Sequence, residues 1–98
     1  MTMLSVPAMF RADIDKATQI LRDAGCTEGY LFGSVAMGKA QQASDIDLAV
    51  RGIPPAEFFR VYGKLAMSVG TPIDLIDLDD HRSFSRRLAE RGEFIRVI

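Results

Sequence analysis

Short apolar runs in this chain alternate with longer stretches in which apolar residues recur at helical spacing. From about Pro7 to Ala24, Phe10, Ile14, Ala17, Leu21 and Ala24 return every three or four residues, which predicts an amphipathic helix stopped by Gly25. Its acids Asp13, Asp15 and Asp23 are assigned to the solvated face. Tyr30-Leu31-Phe32 reads as a strand, and Ser34 to Met37 as a short helical run behind the Gly33 turn. A second strand follows in Ser44-Asp45-Ile46-Asp47-Leu48-Ala49-Val50, with Ile46 and Leu48 directed into the core. Gly52 breaks that run. Pro54-Pro55 can then open a helix, because proline is tolerated in a first helical turn, and Phe58, Val61, Tyr62, Leu65 and Val69 mark its buried side. Gly70-Thr71-Pro72 is read as closing this helix and starting a third strand in Pro72-Ile73-Asp74-Leu75-Ile76-Asp77-Leu78. A last helix is predicted between about Asp80 and Arg91, with Phe84 and Leu88 inward, and a short final strand within Phe94 to Ile98. Strands alternating with helices indicate an α/β (α+β) fold: a small mixed β-sheet covered mainly on one side by helices.

The 98 residues suit one domain, 1–98, with a core but no second module. Hydrophobic residues at 48% and charged residues at 26% are globular values and exclude a disordered chain. A formal net charge of -1 argues against broad nonspecific nucleic-acid binding, which needs clustered Lys and Arg, and favours a nucleotide over a polymer as substrate. Cys26 is the sole cysteine, so an internal disulfide is excluded and a reducing cytoplasm fits. Met1 to Met9 has neither a basic leader nor an apolar run long enough for a signal peptide or membrane span, so no membrane partner is expected. Tyr62 sits at core spacing rather than standing out as a base-stacking group, and His81 reads as a helix-start surface residue. Arg82, Arg86, Arg87 and Arg91 recur at helical spacing, either as a solvated surface or as a face for an acidic partner.

The candidate chemistry lies in the acids. Side chains alternate along a strand, so Asp45 and Asp47 share one face, with alpha carbons about 6.7 Å apart. Two like charges on one face repel, and each costs free energy if desolvated without a partner. A divalent cation removes both objections: magnesium prefers oxygen ligands and is commonly held by one or two carboxylates plus substrate phosphates. Upstream, strand, turn and helix start make an anion site, in which Gly33 permits close backbone approach to a phosphate and Ser34 offers a hydroxyl at the predicted N-cap. The pattern is not the lysine-containing phosphate loop, since Lys39 follows Gly38 without the required spacing or hydroxyl. A third acid comes from the last apolar strand, where Asp74 and Asp77 have opposite parities and only one can join the metal face. Periodicity alone does not choose between them.

Gly-Ser-x-Ala-x-Gly at 33–38, Ser-Asp-Ile-Asp-Leu-Ala-Val at 44–50 and Ile-Asp-Leu-Ile-Asp-Leu-Asp at 73–79 together resemble the nucleotidyltransferase superfamily of the DNA polymerase beta type. Within it the chain is most similar to the minimal nucleotidyltransferase (MNT) domains, from about Tyr30 to the C-terminus. The resemblance implies Asp74 as the third metal-site acid. It implies two Mg2+ ions held by Asp45, Asp47 and Asp74, a triphosphate cradled by Gly33 and Ser34, and transfer of AMP from ATP to a hydroxyl. It further implies a HEPN-domain protein as partner, with this chain as antitoxin, in a homo- or hetero-oligomer. Family members commonly carry arginine where Met37 stands, and loss of that cation removes a charge-assisted contact that the flexible Lys39 replaces only in part. Weak turnover is the expectation from that departure. The rival reading is a noncatalytic antitoxin that neutralises its partner by stoichiometric binding. Transfer to a small molecule such as an aminoglycoside is a third, which calls for additional substrate-binding structure.

Overall fold

In a computed structural model that describes residues 6–36, 38, 45–79 and 94–98, four strands form one mixed sheet. The elements run α1 (Ala8–Asp23), β1 (Glu28–Phe32), α2 (Gly33–Ala36), β2 (Ile46–Arg51), α3 (Pro55–Ser68), β3 (Ile73–Asp77) and β4 (Phe94–Arg96). Strand order is β3-β2-β1-β4, with β1 antiparallel to β2 and β4, and β2 parallel to β3. The parallel pair is what demands a crossover, and α3 supplies it. The predicted helix between 80 and 91 lies outside the described residues, as do Met37, Lys39, Ser44, His81 and the four arginines after it.

Alternation along the strands separates two faces. Leu31, Ile46, Leu48, Val50, Ile73, Leu75 and Ile95 meet Phe10, Ile14, Ala17 and Leu21 of α1 and Val61 and Leu65 of α3 in one buried core. Phe32, Ala49 and Leu78 make a smaller cluster on the opposite face, with Tyr30, Ile76 and Phe94 packed against it. The two long helices thus cover the first face, as the sequence pattern predicts. Phe58 and Tyr62 pack at the border of the larger core, their rings edge to face at 6.3 Å, which places Tyr62 in the packing.

The helix ends follow local chemistry. At the end of α1, Gly25 adopts φ +94°, its N–H bonding to Arg22 O at 3.0 Å and the Cys26 N–H to Leu21 O at 3.0 Å. This paired closure needs a left-handed residue, which glycine adopts without steric penalty. Pro54 and Pro55 open α3, while its end comes earlier than predicted: Val69 is already extended, so Gly70 lies beyond the helix. Asp13 also departs from expectation. Its Oδ2 accepts a hydrogen bond from the Thr71 hydroxyl at 2.6 Å and ties α1 to the segment leading into β3. One residue on, the Ile46 N–H bonds to Pro72 O at 2.9 Å and starts the β2–β3 ladder.

Leu48 is wholly buried at the centre of this core. We expect Leu48→Ala to lower unfolding free energy by about 2–5 kcal/mol, the usual range for such truncations, read from the midpoint of urea denaturation.

Candidate functional site

Asp47 stands where three elements meet. On one side it is the register partner of Phe32, the last residue of β1, and on the other of Asp74 in β3. Paired residues on neighbouring strands project to the same face, so Asp47 and Asp74 lie side by side away from α1 and α3. Asp45 immediately precedes β2, two residues from Asp47, and is exposed like Asp74, whereas Asp47 is half-buried. Asp77 is paired with Val50, a residue of the main core, and its Oδ1 accepts a hydrogen bond from the Asp79 N–H at 2.9 Å. The acid that neighbours Asp47 is therefore Asp74; Asp77 shapes the turn after β3.

The electrostatics single out Asp47. Burial first, then the charges of Asp74 and Asp45, raise its pKa from 3.8 to about 6. Among the described residues, no three His, Cys, Asp or Glu side chains close into a metal-binding cluster. Asp47 and Asp74 share one face, and the charges of Asp74 and Asp45 act on Asp47 with no closed cage among the described residues.

The glycine turn borders the same acid. The helical turn α2 begins at Gly33 itself, one residue earlier than predicted, so Ser34 lies within the turn instead of capping it. The Ser34 side chain lies outside the described residues. Val35 and Ala36 are fully buried in the main core, which anchors so short a helix. Gly33 has φ +73°, and a Cβ built there would lie within 3.2 Å of Asp47 Cγ and still closer to Asp47 Oδ2. No spacing rule in the sequence reveals this contact, because it depends on pairing β1 with β2.

Farther along the same face a polar group closes the sheet. Arg51 pairs with Glu28 at 3.5 Å and with Asp79 at 3.6 Å, and the Tyr30 hydroxyl donates to Glu28 Oε2 at 2.9 Å. These partners are partly exposed and hold strand ends together; none reaches the three acids in the pairing register. Cys26 is buried, its thiol pushed up by desolvation and donating to Glu28 O at 3.0 Å, in keeping with a small apolar role.

Residues 15–96 match the family model "Polymerase beta, Nucleotidyltransferase". The chain belongs to this nucleotidyltransferase family. Among solved structures it is similar to a toxin–antitoxin complex crystallised with AMP-PNP, at 26% identity and a TM-score of 0.71 over 86% of this chain and 71% of that one. A protein described as a minimal nucleotidyltransferase is also 26% identical, with a TM-score of 0.69 over 89% of this chain and 91% of that one. A third similar structure is the tri-AMPylated HEPN toxin of Shewanella oneidensis in complex with its MNT antitoxin. It is 22% identical, with a TM-score of 0.66 over 90% of this chain and 71% of that one, a likeness of fold. No curated protein matches the chain closely enough to count as a sequence relative. Membership gives the general kind of reaction: movement of a nucleotidyl group. Among the described residues, no helix is long and apolar enough to cross a membrane.

The raised pKa of Asp47 has a consequence for the fold. A carboxyl whose pKa is higher in the folded than in the unfolded state favours folding while protonated, below about pH 3.8, and this contribution is lost as pH rises through about 6. Asp47→Asn should therefore be more stable than the native chain at pH 7.5, by roughly 1–2 kcal/mol once solvent screening is allowed for, and the difference should vanish near pH 3.5. Urea midpoints measured across that range without added divalent ions check both the sign and the window.

Proposed function

We propose that this chain is a magnesium-dependent nucleotidyltransferase that moves AMP from ATP onto a hydroxyl of a HEPN-type toxin and so acts as its cytoplasmic antitoxin. The observation that carries this reading is the β2–β3 register that sets Asp74 beside Asp47, next to the Gly33 turn. The donor set fits a hard divalent ion, since every candidate ligand is a carboxylate oxygen and magnesium needs only one or two of these alongside phosphate and water. Burial and then the charges of Asp74 and Asp45 raise the Asp47 pKa, and a cation beside the carboxylate would offset both. Support for the nucleotide comes from the AMP-PNP complex, and for the acceptor from the AMPylated toxin that a protein of this fold accompanies.

In this reading Asp45, Asp47 and Asp74 hold the metal ions. Bound there, such ions would supply positive charge to offset that of the triphosphate and of the reacting oxygens. The Gly33 and Ser34 backbone cradles the triphosphate. The acceptor oxygen attacks the α-phosphorus, the new bond joins that oxygen to phosphorus, and the bond from the α-phosphorus to the bridging oxygen breaks. Pyrophosphate departs with that electron pair. Asp74 takes up or polarises the hydroxyl proton and, being exposed, passes it to water. Little covalent work is left to the protein, because such transfer depends on positioning and charge neutralisation.

The chain is incubated with its HEPN-class genomic neighbour, Mg2+ and ATP labelled at the α-phosphate. Label should pass to the toxin, and Asp45→Ala plus Asp47→Ala should reduce transfer by about a hundredfold or more. Absence of label on the toxin, with neutralisation retained by the double variant, would instead establish the stoichiometric binding module that Met37 favours. Label on small hydroxylated compounds in place of the toxin would identify a small-molecule transferase.

A further inference from the structure

Gly33 has two reasons to lack a side chain, and they can be told apart. Its φ of +73° lies in the left-handed region, which asparagine and aspartate also enter, so backbone conformation by itself does not restrict the position to glycine. The second reason is steric. A Cβ on Gly33 would sit 3.5 Å from Asp47 Cβ, 3.2 Å from Cγ and nearer again to Oδ2, inside the distance that real Cβ contacts reach. The approach tightens toward the carboxylate, so the Asp47 side chain leans over the Gly33 turn. In the strand order β3-β2-β1 that direction is away from β3, and hence away from Asp74.

We propose that Gly33 is a positioning residue whose missing side chain seats the Asp47 carboxylate and lets it lean away from Asp74, leaving room between the two acids. A larger residue at 33 drives that carboxylate off the turn and toward its like-charged neighbour. This goes beyond close approach of the turn to a phosphate, because the seat is occupied by the protein's own acid. What the seated carboxylate then does rests on the nucleotidyltransferase reading, but the steric claim does not.

A double-mutant cycle tests it. In an Asp47→Ala background the atoms that collide are gone, and the remaining Cβ is at an ordinary contact distance of 3.5 Å. Backbone strain at Gly33 is the same in both backgrounds and cancels. Gly33→Ala should lower the thermal midpoint in the native chain by about 5 °C or more beyond its effect in the Asp47→Ala background. Gly33→Asn, which meets the φ requirement but keeps a Cβ, should show the same excess. Equal losses in the two backgrounds, or recovery by Asn alone, would overturn the seat. If Gly33→Ala does not fold, adding Asp47→Ala should restore folding, and failure to do so equally overturns it.

A second readout separates positioning from mere support. Mn2+ alone, titrated by electron paramagnetic resonance against folded Gly33→Ala, should bind about tenfold more weakly than to the native protein. Unchanged affinity would show that the seat does not position a ligand. Failure of the native protein to bind Mn2+ would overturn the metal reading of the proposed function, with the stability cycle still deciding the seat.

Discussion

Burial of alternate residues on β2 constrains everything placed around it. Ile46, Leu48 and Val50 are completely withdrawn from solvent beneath α1 and α3, so a slip of one residue would drive Asp47 into the core and expose three large apolar side chains. The same burial acts on β3 through Ile73 and Leu75. With both strands held by their apolar sides, the parallel register aligns Asp47 with Asp74 and leaves the acids on the face that the long helices do not cover. The site is a by-product of core packing in which no acid needs to find its own place.

That placement stores electrostatic tension. Asp47 is partly desolvated between two other carboxylates, and the fold bears this cost without a compensating cation among the described side chains of the site. Elsewhere the same sheet face handles its acids differently. Glu28 and Asp79 share Arg51, and Glu28 also accepts from Tyr30, so each of these acids has a partner within the protein. Among the described residues, the contrast between an end of the sheet face whose acids share an arginine and an end whose acids have none separates structural acids from candidate ligands better than the presence of acids does.

The short turn α2 joins these two effects. Val35 and Ala36 are buried in the main core, which fixes the turn, and the fixed turn brings Gly33 against Asp47. Packing on one side of the sheet thereby shapes the surroundings of a carboxylate on the other. The bond from Thr71 to Asp13 works toward the same end, since it secures the segment entering β3 to α1 three residues ahead of Asp74.

Periodicity in the chain was enough to predict α1, α3, the strands and a mixed sheet covered on one side, because each rests on a local repeat of apolar residues. The placing of Asp47 on the face opposite Ile46 and Leu48 was legible for the same reason, as strand alternation is local. Helix ends were less so: Val69 turns extended before Gly70, and α2 starts on Gly33, since these boundaries depend on what the neighbouring residues pack against. Asp13 looked like a solvated acid until folding brought Thr71, distant in the chain, within hydrogen-bonding reach. Parity allows either Asp74 or Asp77 beside Asp47; the family resemblance pointed to Asp74, and its place next to Asp47 comes from the β2–β3 register, a long-range pairing. The pKa of Asp47 and its contact with Gly33 belong to that second class, because burial and approach across strands exist only once the sheet is assembled.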